Sequence, residues 1–165
     1  MALTVRVSDR VRNLDTLFDF TAREASAALE TFDALVRKHE TELFASEGLT
    51  GGTYWAPLSE AYAKHKQKKR PGRKKLVYDG DLRRSLTTAS SPEHVATYGK
   101  QPNGNWLLRS GSSNQIGRYH LEGSATLPIR KPMSFTAEQV ANMRRAIADR
   151  LLPFVKQRFR ALAGA

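Results

Sequence analysis

Two apolar stripes at helical spacing, one towards each end of the chain, constrain the fold more than any other feature. In the first, Leu14, Leu17, Phe18, Ala25, Ala28, Leu29, Phe32, Leu35, Val36 and Leu43 recur at steps of three and four. That makes one buried face over about eight turns. Asn13 is placed to cap this helix, with Asp15 and Asp19 near its positive end, and Gly48, Gly51 and Gly52 stop it. The second stripe has a sharp start. Thr136 and Gln139 form a capping box, and Phe135 is placed to staple against Val140. Val140, Met143, Ile147, Leu151, Phe154, Val155, Phe159 and Leu162 follow as its apolar face, and Pro153 should kink it.

Between the stripes the period changes. His94–Lys100 and Trp106–Gly111 are rich in Thr, Val, Tyr and Trp, and Asn103-Gly104 between them is a strong hairpin signal. With Leu86–Ser90 they read as three antiparallel strands, and Leu3–Val7 alternates as a further short strand candidate. Ser59 caps a short helix holding Ala61, Tyr62 and Ala63, and the GDLRRSL segment from Gly80 reads as one or two helical turns. Tyr119–Gly123 is ambiguous, and Pro128 and Pro132 limit Leu127–Phe135 to an edge or a loop. The expectation is one α+β domain over residues 1–165, a small antiparallel β-sheet flanked by a long N-terminal helix and a long C-terminal helix.

The sequence offers little chemistry for catalysis. There is no cysteine, so thiolate metal sites, disulfides and cysteine nucleophiles are excluded. His39, His65, His94 and His120 are scattered without metal-ligand spacing, and no Walker, GxSxG or GxGxxG motif occurs. His120 and Glu122 lie two residues apart, a weak pair. Asp79 and Asp81 read as turn and cap residues. No catalytic residue, metal or cofactor is expected. The start of the chain has no apolar signal core and no stretch reaches membrane-spanning length, so a soluble protein without membrane contact is expected, one that stays in the cell that makes it.

Charge is concentrated instead. The net charge is +11, and Lys64, Lys66, Lys68, Lys69, Arg70, Arg73, Lys74 and Lys75 supply eight positive charges with no acid between them. Of the 27 Lys and Arg residues, the 19 outside this run are nearly balanced by 16 Asp and Glu. The basic loop 64–75 reads either as a solvated segment or as a contact for DNA backbone or an acidic protein surface. It should be helical at its start and mobile around Arg70–Lys74, since Pro71-Gly72 blocks a continuous helix. The run itself holds no aromatic residue, which argues against base stacking. Trp55 and Trp106 are expected to pack at least partly into the core, Trp55 near Phe44.

Four segments stand in a particular order. Trp55-Ala56-Pro57-Leu58-Ser59, with Tyr62 and Lys64, follows the Phe44–Gly48 turn. Leu76-Val77-Tyr78-Asp79-Gly80-Asp81-Leu82-Arg83-Arg84-Ser85-Leu86 comes after the basic loop. Tyr119-His120-Leu121-Glu122-Gly123 and Leu127-Pro128-Ile129-Arg130-Lys131-Pro132-Met133 stand near the end. This order resembles the phage virion morphogenesis family, related to tail completion proteins of Mu-like and other long-tailed phages. That family is expected to carry Trp-x-Pro-Leu, Thr-Gly-x-Leu, aromatic-x-His-x-x-Gly and Pro-x-Arg-Pro elements. Here Asp79 stands where Thr is usual, and Lys131 lengthens the last element. Physically, Trp55 and Leu58 are spaced to anchor a loop on the long helix, Gly80 permits a turn, and Leu82 and Leu86 seat a short helix.

The resemblance implies a non-enzymatic structural protein of the virion, made in the host cytoplasm. It would sit at the head–tail junction as a homo-oligomeric ring, often hexameric. Its partners would be other neck, connector or tail proteins and the DNA that passes through the ring. The structural motif residues would be Trp55, Pro57, Leu58, Tyr62, Gly80, Leu82 and Pro132. The alternative is a small DNA- or RNA-binding module acting through the basic loop.

Overall fold

The computed structural model describes residues 2–7 and 19–163. The expected Asn13 cap and the positions Leu14, Leu17 and Phe18 lie outside the described residues, as does the side chain of Leu162. The described residues form three strands and five α-helices: β1 (Ala2–Val7), α1 (Ala22–Ala45), α2 (Glu60–Lys69), α3 (Asp81–Thr87), β2 (His94–Lys100), β3 (Trp106–Ser112), α4 (Gln115–Glu122) and α5 (Ala137–Ala163). The fold is α+β, an antiparallel sheet of order β1-β3-β2 with the long helix α1 packed against it and the long helix α5 packed against α1.

Helix α1 starts later than the apolar spacing implies. Asp19 and Phe20 are not helical, and Thr21 is the N-cap. Its hydroxyl accepts from the Glu24 backbone N–H at 3.3 Å, and the Glu24 carboxylate accepts from the Thr21 N–H at 2.7 Å. This capping box satisfies two otherwise orphan donors, so the helix begins there. The hairpin forms as expected, with Gly104 at φ +84° in its turn and Lys100 paired with Trp106. Beyond β3 lies β1, paired from Ala2 with Gly111 to Val7 with Trp106.

The expected strand Leu86–Ser90 is absent. Leu82, Ser85 and Leu86 are buried on α3, and Ser85 Oγ donates to the Leu82 carbonyl. The four-residue Leu spacing seats a helix against α1, which outweighs the β preference of two threonines. Tyr119–Glu122 proves helical, the end of α4 with Gly123 as its C-cap, and at the start of that helix Asn114 Oδ1 accepts from the Ile116 N–H at 2.9 Å. Leu127–Phe135 runs as an irregular loop.

The core packs Phe32, Val36, Leu43 and Phe44 of α1 against Leu82, Leu86, Leu108, Met143, Ile147 and Leu151. Helix α5 has its predicted Thr136–Gln139 capping box and continues through Pro153. Val140, Phe154 and Val155 of the expected stripe are half-buried, and Phe159 is 59% exposed. Trp55 is buried, edge-on to Phe44 with ring centroids 5.2 Å apart, and its Nε1–H donates to the Lys131 carbonyl at 2.8 Å. Gly48, at φ +101°, makes that packing possible, because a Cβ there would sit 2.7 Å from the indole Cδ1.

Candidate docking groove and the basic segment

The four segments singled out in the sequence are far apart in the chain, and the fold brings them together. They line one groove of about 810 Å³. Pro57, Leu58 and Tyr62 form one side, Gly80 and Leu82 at the start of α3 another, and Ile116, His120, Leu127 and Pro128 close it. Gly80 provides the turn at φ +97° as the N-cap residue of α3. Trp55 and Pro132 lie behind the walls: both are buried, and Pro132 sits beside Gly117 of α4. Among the motif positions, then, Pro57, Leu58, Tyr62, Gly80 and Leu82 face the cleft, while Trp55 and Pro132 support it.

Two side chains in the groove are buried cations. Arg130 donates from Nε to the Ala56 carbonyl at 2.8 Å and from Nη2 to the Pro57 carbonyl at 2.7 Å. It thereby fixes the Trp-x-Pro-Leu loop, and its own backbone N–H bonds the His120 carbonyl of α4. Lys66 donates from Nζ to the Lys74 carbonyl. Burial holds both groups below their ordinary pKa values; for Lys66, Glu47 opposes the fall and Arg130 adds to it. Burial, with Arg130 beside it, also lowers His120, whose Nδ1 is enclosed without a hydrogen-bond partner. Glu122 takes no part, since it pairs with Arg118 at 2.8 Å on the exposed side of α4.

The basic segment separates into four groups. Helix α2 carries it as far as Lys69, and Ser59 accepts from the Tyr62 N–H as its cap. Lys66 is buried and lines the groove. Lys74 and Lys75 are tied to the C-terminal end of α1: Lys74 Nζ donates to the Ala45 carbonyl, and Lys75 Nζ lies 3.1 Å from Glu47. Cations there satisfy orphan carbonyls and favour the helix dipole. Arg70 pairs with Asp79 at 2.7 Å and Lys64 with Glu60 at 2.7 Å. Lys68, Lys69 and Arg73 are exposed and have no acidic partner among the described residues. Aromatic rings from outside the run contact its other members. Arg70 lies 5.4 Å from the Tyr78 ring centre, Lys75 lies 5.6 Å from that of Tyr54, and Tyr62 stacks on His65.

An apolar-walled cleft with a few convergent donors is the general form of a binding site. Among the described residues no group of three or more His, Cys, Asp or Glu could hold a metal ion, and no helix is long and apolar enough to cross a membrane. The chain belongs to the phage virion morphogenesis family, whose family model matches residues 7–152. No curated protein sequence and no solved structure matches it. Membership gives the protein a part in building the phage particle.

Proposed function

We propose that the protein is a non-catalytic component of the phage head–tail junction, of the neck or tail completion type, acting as a homo-oligomeric ring. The groove is where it meets another virion protein. The observation that carries this reading is the convergence of all four family-like segments on one cleft built from apolar walls and structural hydrogen bonds. Support for self-association comes from α5, where Leu152 and Phe159 lie seven residues apart and are both exposed. Such a stripe can bury itself against a different patch on the next copy and so close a ring. Deletion in the producing phage should leave full heads and complete tails that do not join, with the protein itself found in purified wild-type particles. Infectious particles assembling without it would overturn the proposal.

A second reading keeps a nucleic-acid contact at the basic segment. It is favoured by the exposed Lys68, Lys69 and Arg73, and by two rings from outside the run that contact other members of it, Tyr62 stacked on His65 and Tyr78 under Arg70.

A further inference from the structure

The groove holds an unfinished set of charges. Lys66 is 4% exposed and Arg130 3% exposed, yet neither forms an ion pair among the described residues. Their hydrogen bonds go to backbone carbonyls. An ammonium has three N–H donors and a guanidinium five, so both retain capacity. His120 adds an enclosed Nδ1 with no partner. The carboxylates that also line the groove are already engaged, Asp79 by Arg70 and Asp81 by Arg84. Glu47, which attracts Lys66, is held by the Lys75 backbone N–H and ammonium. A buried cation without an acid is costly, and here two lie close enough for Arg130 to disfavour the charge on Lys66.

We infer that the groove binds an extended segment of another virion protein that inserts one Asp or Glu carboxylate between Lys66 and Arg130 and lays apolar side chains on Leu58, Leu82 and Leu127. This deepens the proposal that the groove is the docking site and rests on it. Charge complementarity picks the carboxylate. The leucine walls favour apolar neighbours, as a DNA or RNA backbone would leave them facing a ribose-phosphate chain. Desolvated pairs at the centre of an apolar patch are where binding energy concentrates.

The test uses full-length protein in solution and hexanoate as probe, one carboxylate on an apolar tail, with hexanol and inorganic phosphate as comparators. Nuclear magnetic resonance follows the His120 ring and the Arg130 Nε–H. Hexanoate should shift both signals saturably and together, while hexanol and phosphate should not. Lys66→Met should weaken hexanoate roughly tenfold or more, the range expected for one charge-assisted hydrogen bond. Lys68→Met, on the exposed side of α2, should leave it unchanged. The wild-type comparison stands even if Lys66→Met folds poorly. No response to hexanoate overturns the inference. An equal response to phosphate makes the site one for a nucleic-acid backbone, and an equal response to hexanol makes it a plain apolar cleft; either also overturns it. The docking reading fails separately: if hexanoate binds as expected but Lys66→Met phage assemble at full yield, the carboxylate chemistry survives and its role in the virion does not.

Discussion

Two buried polar centres among the described residues are finished to different degrees. One joins α1 to the sheet. Asp33 Oδ1 accepts from Ser110 Oγ at 2.7 Å and lies 2.8 Å from His94 Nε2, while its Oδ2 accepts from Arg37 at 2.8 Å. His94 Nδ1 lies 2.9 Å from the Ser85 carbonyl, Ser112 Oγ donates to Ser85 Oγ at 2.7 Å, and Asn114 N–H donates to Ser112 Oγ at 2.9 Å. Burial alone would raise the Asp33 carboxyl, but the bonds from Ser110 and Arg37 and the nearness of His94 bring it below its ordinary value. Every member finds its partner within the chain. The groove differs: its cations meet only carbonyls, and its histidine has an empty nitrogen. A network closed on itself specifies the fold, whereas one left open keeps donors for the carboxylate proposed above.

Breaking the closed centre should have the largest effect. Asp33→Ala strands His94, Arg37 and Ser110, and removing one partner of a buried pair costs about 3–5 kcal/mol. Trp55→Ala should cost a similar amount, about 3–5 kcal/mol, through lost packing on Phe44. Chemical denaturation should place both far below wild type, and a midpoint within error of wild type for Asp33→Ala would remove the distinction between the two centres. Next comes Glu40, fully buried on α1 with both carboxylate oxygens unpartnered. Burial pushes it well above its ordinary value of 4.5. The folded chain therefore holds a proton that the unfolded chain releases, so stability falls as pH rises past 4.5 towards the folded value. Glu40→Met should abolish this slope and stabilise the protein at neutral pH by about 1–3 kcal/mol, the usual cost of an unpaired buried group. A pH–stability curve parallel to wild type would count against it. Lys66→Met should be milder for folding, a loss of about 1 kcal/mol or less, since one hydrogen bond goes and a buried charge is relieved. A loss as large as that of Asp33→Ala would show that the groove, too, belongs to the fold.

Much of this architecture was legible because it is local. Asn103-Gly104, the Thr136–Gln139 box, the Ser59 cap and the packing of Trp55 near Phe44 depend on a few neighbouring residues or on one large side chain. The misreadings have physical causes. The apolar stripe continues across residues 17–25, which hid the Thr21–Glu24 box lying inside it. Leu86–Ser90 is rich in Thr and Ser, yet Leu82 and Leu86 sit one helical turn apart and α1 supplies the surface they need. Phe159 keeps the spacing of a core residue but is exposed on α5. The groove could be anticipated as a set of segments but not as a place, because His120, Arg130 and Lys66 meet only through long-range packing. Lys66 was the hardest to read: within a run of cations, nothing local marks the one that turns inward.

The smallest effect on stability, and the sharpest use of the comparison, belongs to the basic segment. Lys74 and Lys75 are engaged by α1 and Lys66 by the groove, which leaves Lys68, Lys69 and Arg73 as cations with no acidic partner among the described residues. Changing these three to Gln should not move the melting temperature, because exposed charges contribute little to folding. Lys75→Met, by contrast, should lower it, since that side chain bonds both Glu47 and the Trp55 carbonyl. If the three exposed cations touch DNA backbone, each neutralised phosphate contributes roughly 0.9 to the slope of log affinity against log salt, so the triple variant should flatten that slope by about 2.7. Binding to DNA of any sequence should weaken alike, as phosphate contacts carry no base information. An unchanged slope, together with full production of infectious particles by a phage carrying the variant, would make these residues a solvated face. The groove would then be the surface through which the protein meets its partners.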